Sequence, residues 1–243
     1  MGILKIKKLG HKLLGVFGYR LIKIKETNGD LRDFLKRGKW IQEMGIRTVL
    51  DIGANNGQFA KQIRKLLPDS KIYSFEPLFR EFNILNSAFE NDDNFTSFNV
   101  ALGLENGKKI FFKDEFSASS SFLKMEEKHI ENYPHTGNIE TIDVEIRTLD
   151  SFYDHLDLNV PLFIKIDVQG FENQVISGGL KIISIASLLV IEICFETFYS
   201  GQTSFKEIFN ILDNMGFKYI GNFNQSYSKT NGRVLFSDCV YIK

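Results

Sequence analysis

Hydrophobic positions along the 243-residue chain follow two periods that take turns. Short apolar runs read as strands at Arg47 to Asp51, Lys71 to Phe75, Phe95 to Val100, Leu162 to Ile166 and Ser187 to Ile193. Between them, apolar residues recur every three or four positions over Gly57 to Leu67, Leu78 to Phe89, Phe171 to Ile183 and Ser204 to Met215, the spacing of helices with one buried face. Strands alternating with amphipathic helices predict an α/β chain with a parallel sheet and helices on both faces. Two further runs, Phe217 to Gly221 and Val234 to Ile242, are expected to close the sheet as a hairpin.

The alternation breaks between Gly103 and Asp150. There Lys108 to Lys113 and Val144 to Thr148 read as extra strands, separated by a polar stretch containing Ser117, Ser119, Ser120 and Ser121. An insertion of this size is either a substrate-covering element or a mobile decoration. Before the first strand, Leu31, Phe34, Leu35, Ile41 and Met44 make a helical pattern ending near Gly45. Earlier still, Ile6, Leu9, Leu13, Leu14, Val16 and Phe17 share one side of a helical wheel, with Lys5, Lys8 and Lys12 on the other. Such a segment either lies on an anionic membrane surface or packs on its own domain. The chain thus divides into a basic helical extension, 1–45, and a domain, 46–243.

Composition adjusts this picture in three ways. A hydrophobic content of 43% over this length suits one large core. Charge balances overall, but residues 1–25 carry seven basic residues and no acid, so the rest is net acidic. That acidity, with no basic residues interleaved among the aromatics, argues against nucleic acid as a partner. No apolar run is long enough to span a bilayer and no secretory signal is evident. Cys194 and Cys239 both fall in apolar runs, as reduced thiols would. A cytoplasmic protein is expected, peripheral at the inner face of the membrane if the basic segment binds there.

The chemistry gathers where the strands end. In a doubly wound sheet, ligands bind beyond the carboxyl ends of the strands. The first strand ends at Asp51 and runs into a turn with Gly53, Asn55 and Gly57, after which Gln58 and Phe59 open a helix. The second ends at Phe75-Glu76, and the third leads into Asn99-Val-Ala-Leu-Gly103, which includes Ala101. A pyrophosphate-binding turn would need three closely spaced glycines, and Asp51 would repel phosphate. Only the acid for a ribose, Glu76, fits that pattern. A ribose with a cationic, phosphate-free head fits better, and S-adenosylmethionine has both. Asn99 either reaches an adenine edge or serves as a turn residue.

The fourth strand carries Lys165 and Asp167, two apart and therefore on one face, followed by Gly170 and Glu172. A charged pair at the end of an apolar strand is costly unless it is paired or functional. Glu192 and Glu196 extend the same logic at the end of the next strand, where either could border the acceptor pocket, the alternative for Glu196 being to cap or solvate the following loop. His129 and His135 lie in the insertion, where a general base could reside, but both read more simply as exposed loop residues. No ligand spacing points to a metal.

Together these blocks resemble the FkbM family of S-adenosylmethionine-dependent methyltransferases. The stretches are Val49 to Phe59, Ser74 to Pro77, Asn99 to Gly103, Thr148 to Asp150 and Ile164 to Glu172. The resemblance implies a class I methyltransferase fold, Rossmann-like, with a seven-stranded, mostly parallel sheet containing one antiparallel strand. It implies O-methylation of a hydroxyl on a glycan, glycolipid or related metabolite. Asp51, Gly53, Asn55 and Gly57 would line the methionine end of the cofactor and Glu76 would hold the ribose. Family members often have Glu where this chain has Gln169, a small departure. Asp167 is the expected base, tuned by Lys165, with Glu172 as a second base or a loop anchor. The rivals are a nicotinamide or nucleotide-sugar enzyme on a similar sheet, and a non-catalytic cofactor-binding module.

Overall fold

The computed structural model describes residues 28–243, in two units divided after Lys36. The basic segment 1–25 lies outside the described residues. Helices α1 (Asn28–Arg37) and α2 (Lys39–Glu43) carry the helical pattern that precedes the first strand. It stops where Gly45 takes a φ of 65° and its amide closes on the Gln42 carbonyl.

From residue 37 onward the chain builds a seven-stranded sheet. In chain order its early elements are β1 (Thr48–Ile52), α3 (Gln58–Leu66), β2 (Lys71–Phe75), α4 (Phe79–Ala88) and β3 (Phe95–Phe98). An insertion follows: β4 (Ala101–Leu102), β5 (Gly107–Asp114), α5 (Glu127–Asn132) and β6 (Ile139–Arg147). The main sheet then resumes with β7 (Leu162–Ile166), α6 (Glu172–Ser177), α7 (Leu180–Ser184) and β8 (Ala186–Cys194). It closes with α8 (Phe205–Asn214), β9 (Lys218–Tyr227) and β10 (Val234–Ile242).

The spatial order is β3-β2-β1-β7-β8-β10-β9. All strands share one direction except β10, which runs antiparallel to both neighbours. Strand β1 pairs with β2 on one side and β7 on the other, so the chain reverses its direction of growth beside β1. The crevice opens at that reversal. Both faces of the central strands are covered, which is why they read as continuous apolar runs. Val49, Leu50, Ile52, Leu162, Ile164, Ile166, Leu189 and Ile191 are at most 1% exposed. Burying each contributes about 2 kcal/mol.

The insertion forms its own three-stranded sheet, ordered β4-β6-β5. Its last strand begins five residues before the expected Val144. Ile142, Val144 and Ile146 do alternate inward, but the stretch between them is acidic and exposed, which hides the period from a hydropathy reading. Strand β9 likewise runs past Gly221 through the polar Asn222 to Tyr227. It is an edge strand, half solvated, and needs no apolar run.

The single helix expected over Phe171 to Ile183 is two, α6 and α7, broken at Gly178 and Gly179. A Cβ on Gly178 would lie 1.9 Å from the Gly103 carbonyl oxygen, so only glycine allows this backbone approach. The Asp150 carboxylate restarts the second helix by accepting from the amides of Lys181 and Ile182, both at 2.9 Å. Gly178→Ala is therefore expected to cost roughly 2–3 kcal/mol, because the atom it meets is backbone and cannot swing away. Gly45→Ala has open space around it and only the positive φ to oppose it, costing about 1 kcal/mol. Urea midpoints at constant m check the contrast.

Candidate active site

The turns after β1 and β7 meet at the crevice. Gly53 stands so close to the other turn that a Cβ would fall 1.9 Å from the Asp167 carbonyl oxygen. The Gly53 and Ala54 amides both donate to the Phe75 carbonyl, and the Asp167 amide donates to the Ile52 carbonyl. Three strand ends are thereby bound to one another. Between them opens a cavity of about 610 Å³, mouth included.

Glu76 is the polar centre of this cavity and is 4% exposed. Its Oε2 accepts from the Asn55 amide at 2.7 Å and its Oε1 from the Leu78 amide at 2.8 Å. Burial pushes its carboxyl up to about 7, against the pull of those two amides. Around it stand apolar walls: Val100 after β3, and Ala101, Leu102, Phe111 and Phe122 from the insertion. Among the described residues, the charged ones lining the cavity are Glu76 and Asp167, both acidic. A diphosphate would find no cation there. An adenosine with a cationic head fits: carboxylate for its ribose hydroxyls, apolar walls for its base, negative charge for its sulfonium or ammonium.

Of the residues singled out from the sequence, Gly53, Asn55, Glu76, Ala101 and Asp167 line this cavity. Gln169 lines it too, and the remaining site candidates stand outside its lining. Asp51 is fully buried, with neither carboxylate oxygen hydrogen-bonded, and burial pushes it up to about 6. It is the register partner of Lys165. Gly57 starts α3 with a φ of 83°, while Gln58 is exposed at the helix start. Asn99 donates to the carbonyls of Glu76 and Pro77, tying strand ends together as a turn residue does. Lys165 donates to Asp167 Oδ2 at 2.8 Å and lies 5.4 Å above the Phe59 ring. Burial opposes its charge, but Asp167, Asp51 and Asp238 outweigh that and raise its pKa. Glu172 Oε1 accepts from the amides of Gly170 and Val168, at 3.0 and 3.3 Å, and burial pushes it up to about 7.

Asp167 is shared. Together with Ala118 and Gln169 it also lines a second cavity of about 570 Å³, mouth included. Gln169 sits in the wall between the two, with a φ of 55° that is unusual for a residue with a side chain. Three partners hold it. Its Nε2 donates to Asp167 Oδ1 at 2.8 Å and Glu192 Oε1 at 2.7 Å, and its Oε1 accepts from the Tyr199 hydroxyl at 2.8 Å. Burial first, then Asp167, raises Glu192 well above the usual carboxylate range.

His129 corrects the reading of an exposed loop. It lies on α5, is 4% exposed, and burial pushes it down to about 4, so it is neutral near pH 7. Its Nδ1 meets Thr136 Oγ1 at 3.1 Å, and since Thr136 donates to the Tyr133 carbonyl, the imidazole is the donor. His135 is exposed as expected. Glu196 pairs with Lys128 and Arg233 rather than with the crevice. Sequence reasoning missed Ser117, which accepts from Asn55 Nδ2 at 3.0 Å, and Phe122, Tyr133 and Tyr199. The serine run was the available signal; the aromatics gave none.

The methyltransferase FkbM domain model matches residues 51–219. The chain belongs to the FkbM methyltransferase family. It is accordingly an S-adenosylmethionine-dependent methyltransferase. The 2-O-methyltransferase NoeI of Sinorhizobium fredii is 28% identical over 171 residues, covering 68% of this chain and 70% of that one. Among solved structures, TehB from Haemophilus influenzae aligns with a TM-score of 0.47 at 11% identity, over 90% of this chain and 63% of that one. The plantazolicin methyltransferase BpumL in complex with SAH also aligns at 0.47, with 12% identity, over 89% and 85%. Among the described residues no helix of the methyltransferase is long and apolar enough to cross a membrane.

Cofactor affinity should depend on pH through Glu76. Its folded pKa of about 7 lies above the ordinary 4.5, so the group is protonated below that point and ionised above it. Ribose hydroxyls donate to the ionised form, so affinity rises as pH is raised from about 6 to about 8 and levels off beyond. Calorimetric titration with S-adenosylmethionine across that window checks this, and Glu76→Gln should bind roughly tenfold or more weakly, without the rise.

Proposed function

We propose that the enzyme is an O-methyltransferase acting on a hydroxyl of a glycan, glycolipid or related metabolite, with Asp167 as the general base. The observation that carries this is the position of Asp167, which lines both cavities. A base must reach the acceptor oxygen on one side and stand beside the methyl donor on the other. The printed activity of NoeI, 2-O-methyl transfer, supports oxygen as the acceptor atom.

When bound, S-adenosylmethionine supplies an electrophilic methyl group on a sulfonium. The protein's own residues then have three tasks. Gly53, Asn55 and Glu76 hold the cofactor in the first cavity. Asp167 takes the proton of a hydroxyl presented from the second cavity, with Lys165 on Oδ2 and the Gln169 amide on Oδ1 fixing its orientation. Most of the rate comes from alignment, which two fixed cavities with a shared wall provide. Glu172 is the anchor of the Val168–Gly170 turn, since its Oε1 is already engaged by two backbone amides.

We also infer that the basic segment 1–25 brings the enzyme to an anionic membrane when the acceptor is lipid-linked. Removing it is expected to lower sedimentation with anionic liposomes while leaving the thermal midpoint of the domain unchanged. For the base, Asp167→Asn is expected to lower kcat about 100-fold or more, with the Kd for S-adenosylmethionine changed by less than about threefold. Single-turnover methyl transfer and calorimetry measure the two separately.

A further inference from the structure

The second cavity has a composition of its own. Four aromatic rings, Phe116, Tyr133, Phe198 and Phe236, stand in its wall. Tyr133 stands 6.0 Å from Phe198 and 6.5 Å from Phe236 between centroids, the first pair nearly perpendicular at 84°. At the mouth, Phe116 and His135 meet edge to face at 4.8 Å. Among the described residues, neither lysine nor arginine lines the cavity. Its polar residues include Asp167, Glu192, Gln169, Ser119, Tyr133, Cys194 and the two histidines.

Taking Asp167 as the base, we propose that this cavity is the acceptor subsite and selects an uncharged sugar ring, rejecting sugars that carry a carboxylate or phosphate on the reacting ring. Aromatic faces are electron-rich and receive the C–H face of a pyranose, whose hydroxyls point outward along the ring edge. Those hydroxyls find acceptors: Asp167 at the reacting position and Glu192, whose Oε2 is left over when Oε1 takes the Gln169 amide. An anionic substituent would enter beside Asp167 with no cation to pair it. Lys165 cannot serve, since it lies behind Asp167 and is bonded to it. A charge taken from water into such a place without a partner is strongly disfavoured.

A matched pair of probes tests this: methyl glucopyranoside and the corresponding methyl glucuronoside, which differ at one carbon. Each is titrated by NMR into the full-length protein saturated with S-adenosylhomocysteine. The neutral probe is expected to bind at least about tenfold more tightly than the uronate. Tyr133→Ala and Phe116→Ala should each weaken neutral binding several-fold while leaving cofactor affinity unchanged; Phe116 is 50% exposed, so its loss spares the fold. Asp167→Asn should narrow the gap by admitting the uronate. Equal or tighter uronate binding, failure of both probes to bind, or indifference to both aromatic substitutions would overturn the assignment. Because these readings need no turnover, an Asp167→Asn enzyme that still transferred methyl would sink the base while leaving the charge preference standing.

Discussion

One buried ammonium organises the methyltransferase. Lys165 feels Asp167 just past the end of its own strand, Asp51 on the adjacent β1 and Asp238 on β10, two strands away across β8. Without that cation, acidic groups in a dry crevice would have to give up their charge or separate. With it, Asp167 can stay at the boundary between two cavities, tied to Lys165 on one oxygen and to Gln169 on the other. Burial raises Glu192 above the usual carboxylate range, and it lowers His129 so that the imidazole adds no charge near pH 7.

Around this centre the chain divides its labour. The core strands and their glycine turns supply the cofactor side, and they do so largely with backbone: amides that fix Glu76 and a turn that closes because Gly53 has no side chain. The insertion supplies walls to both cavities, Phe111 and Phe122 on one side, Phe116 and Tyr133 on the other. The hydrogen bond from Asn55 to Ser117 joins the two regions at the cofactor cavity.

What could be read from the sequence follows from the same division. Central strands such as Leu162 to Ile166 are apolar on both faces, and turns such as Gly53 to Gly57 need glycine, so both leave local signatures. Glu76 and Asp167 were legible because they sit at strand ends. Three features were not. The break at Gly178 exists because Gly103, 75 positions earlier, needs the space. His129 is buried by Phe198 and Tyr199, far along the chain, while its own neighbours Lys128 and Ile130 are exposed and read as loop. The second cavity draws on residues from Phe116 to Phe236, and no local pattern connects them.

That last dispersion bears on how the protein is made. Strand β10 contributes Phe236 to the aromatic wall and Asp238 to the charges around Lys165, and it occupies the place between β8 and β9. A nascent polypeptide emerging from the ribosome can pair β1, β2 and β7 early. It cannot assemble the catalytic centre until β10 has slid between its two neighbours, so competence arrives in a single late step of synthesis.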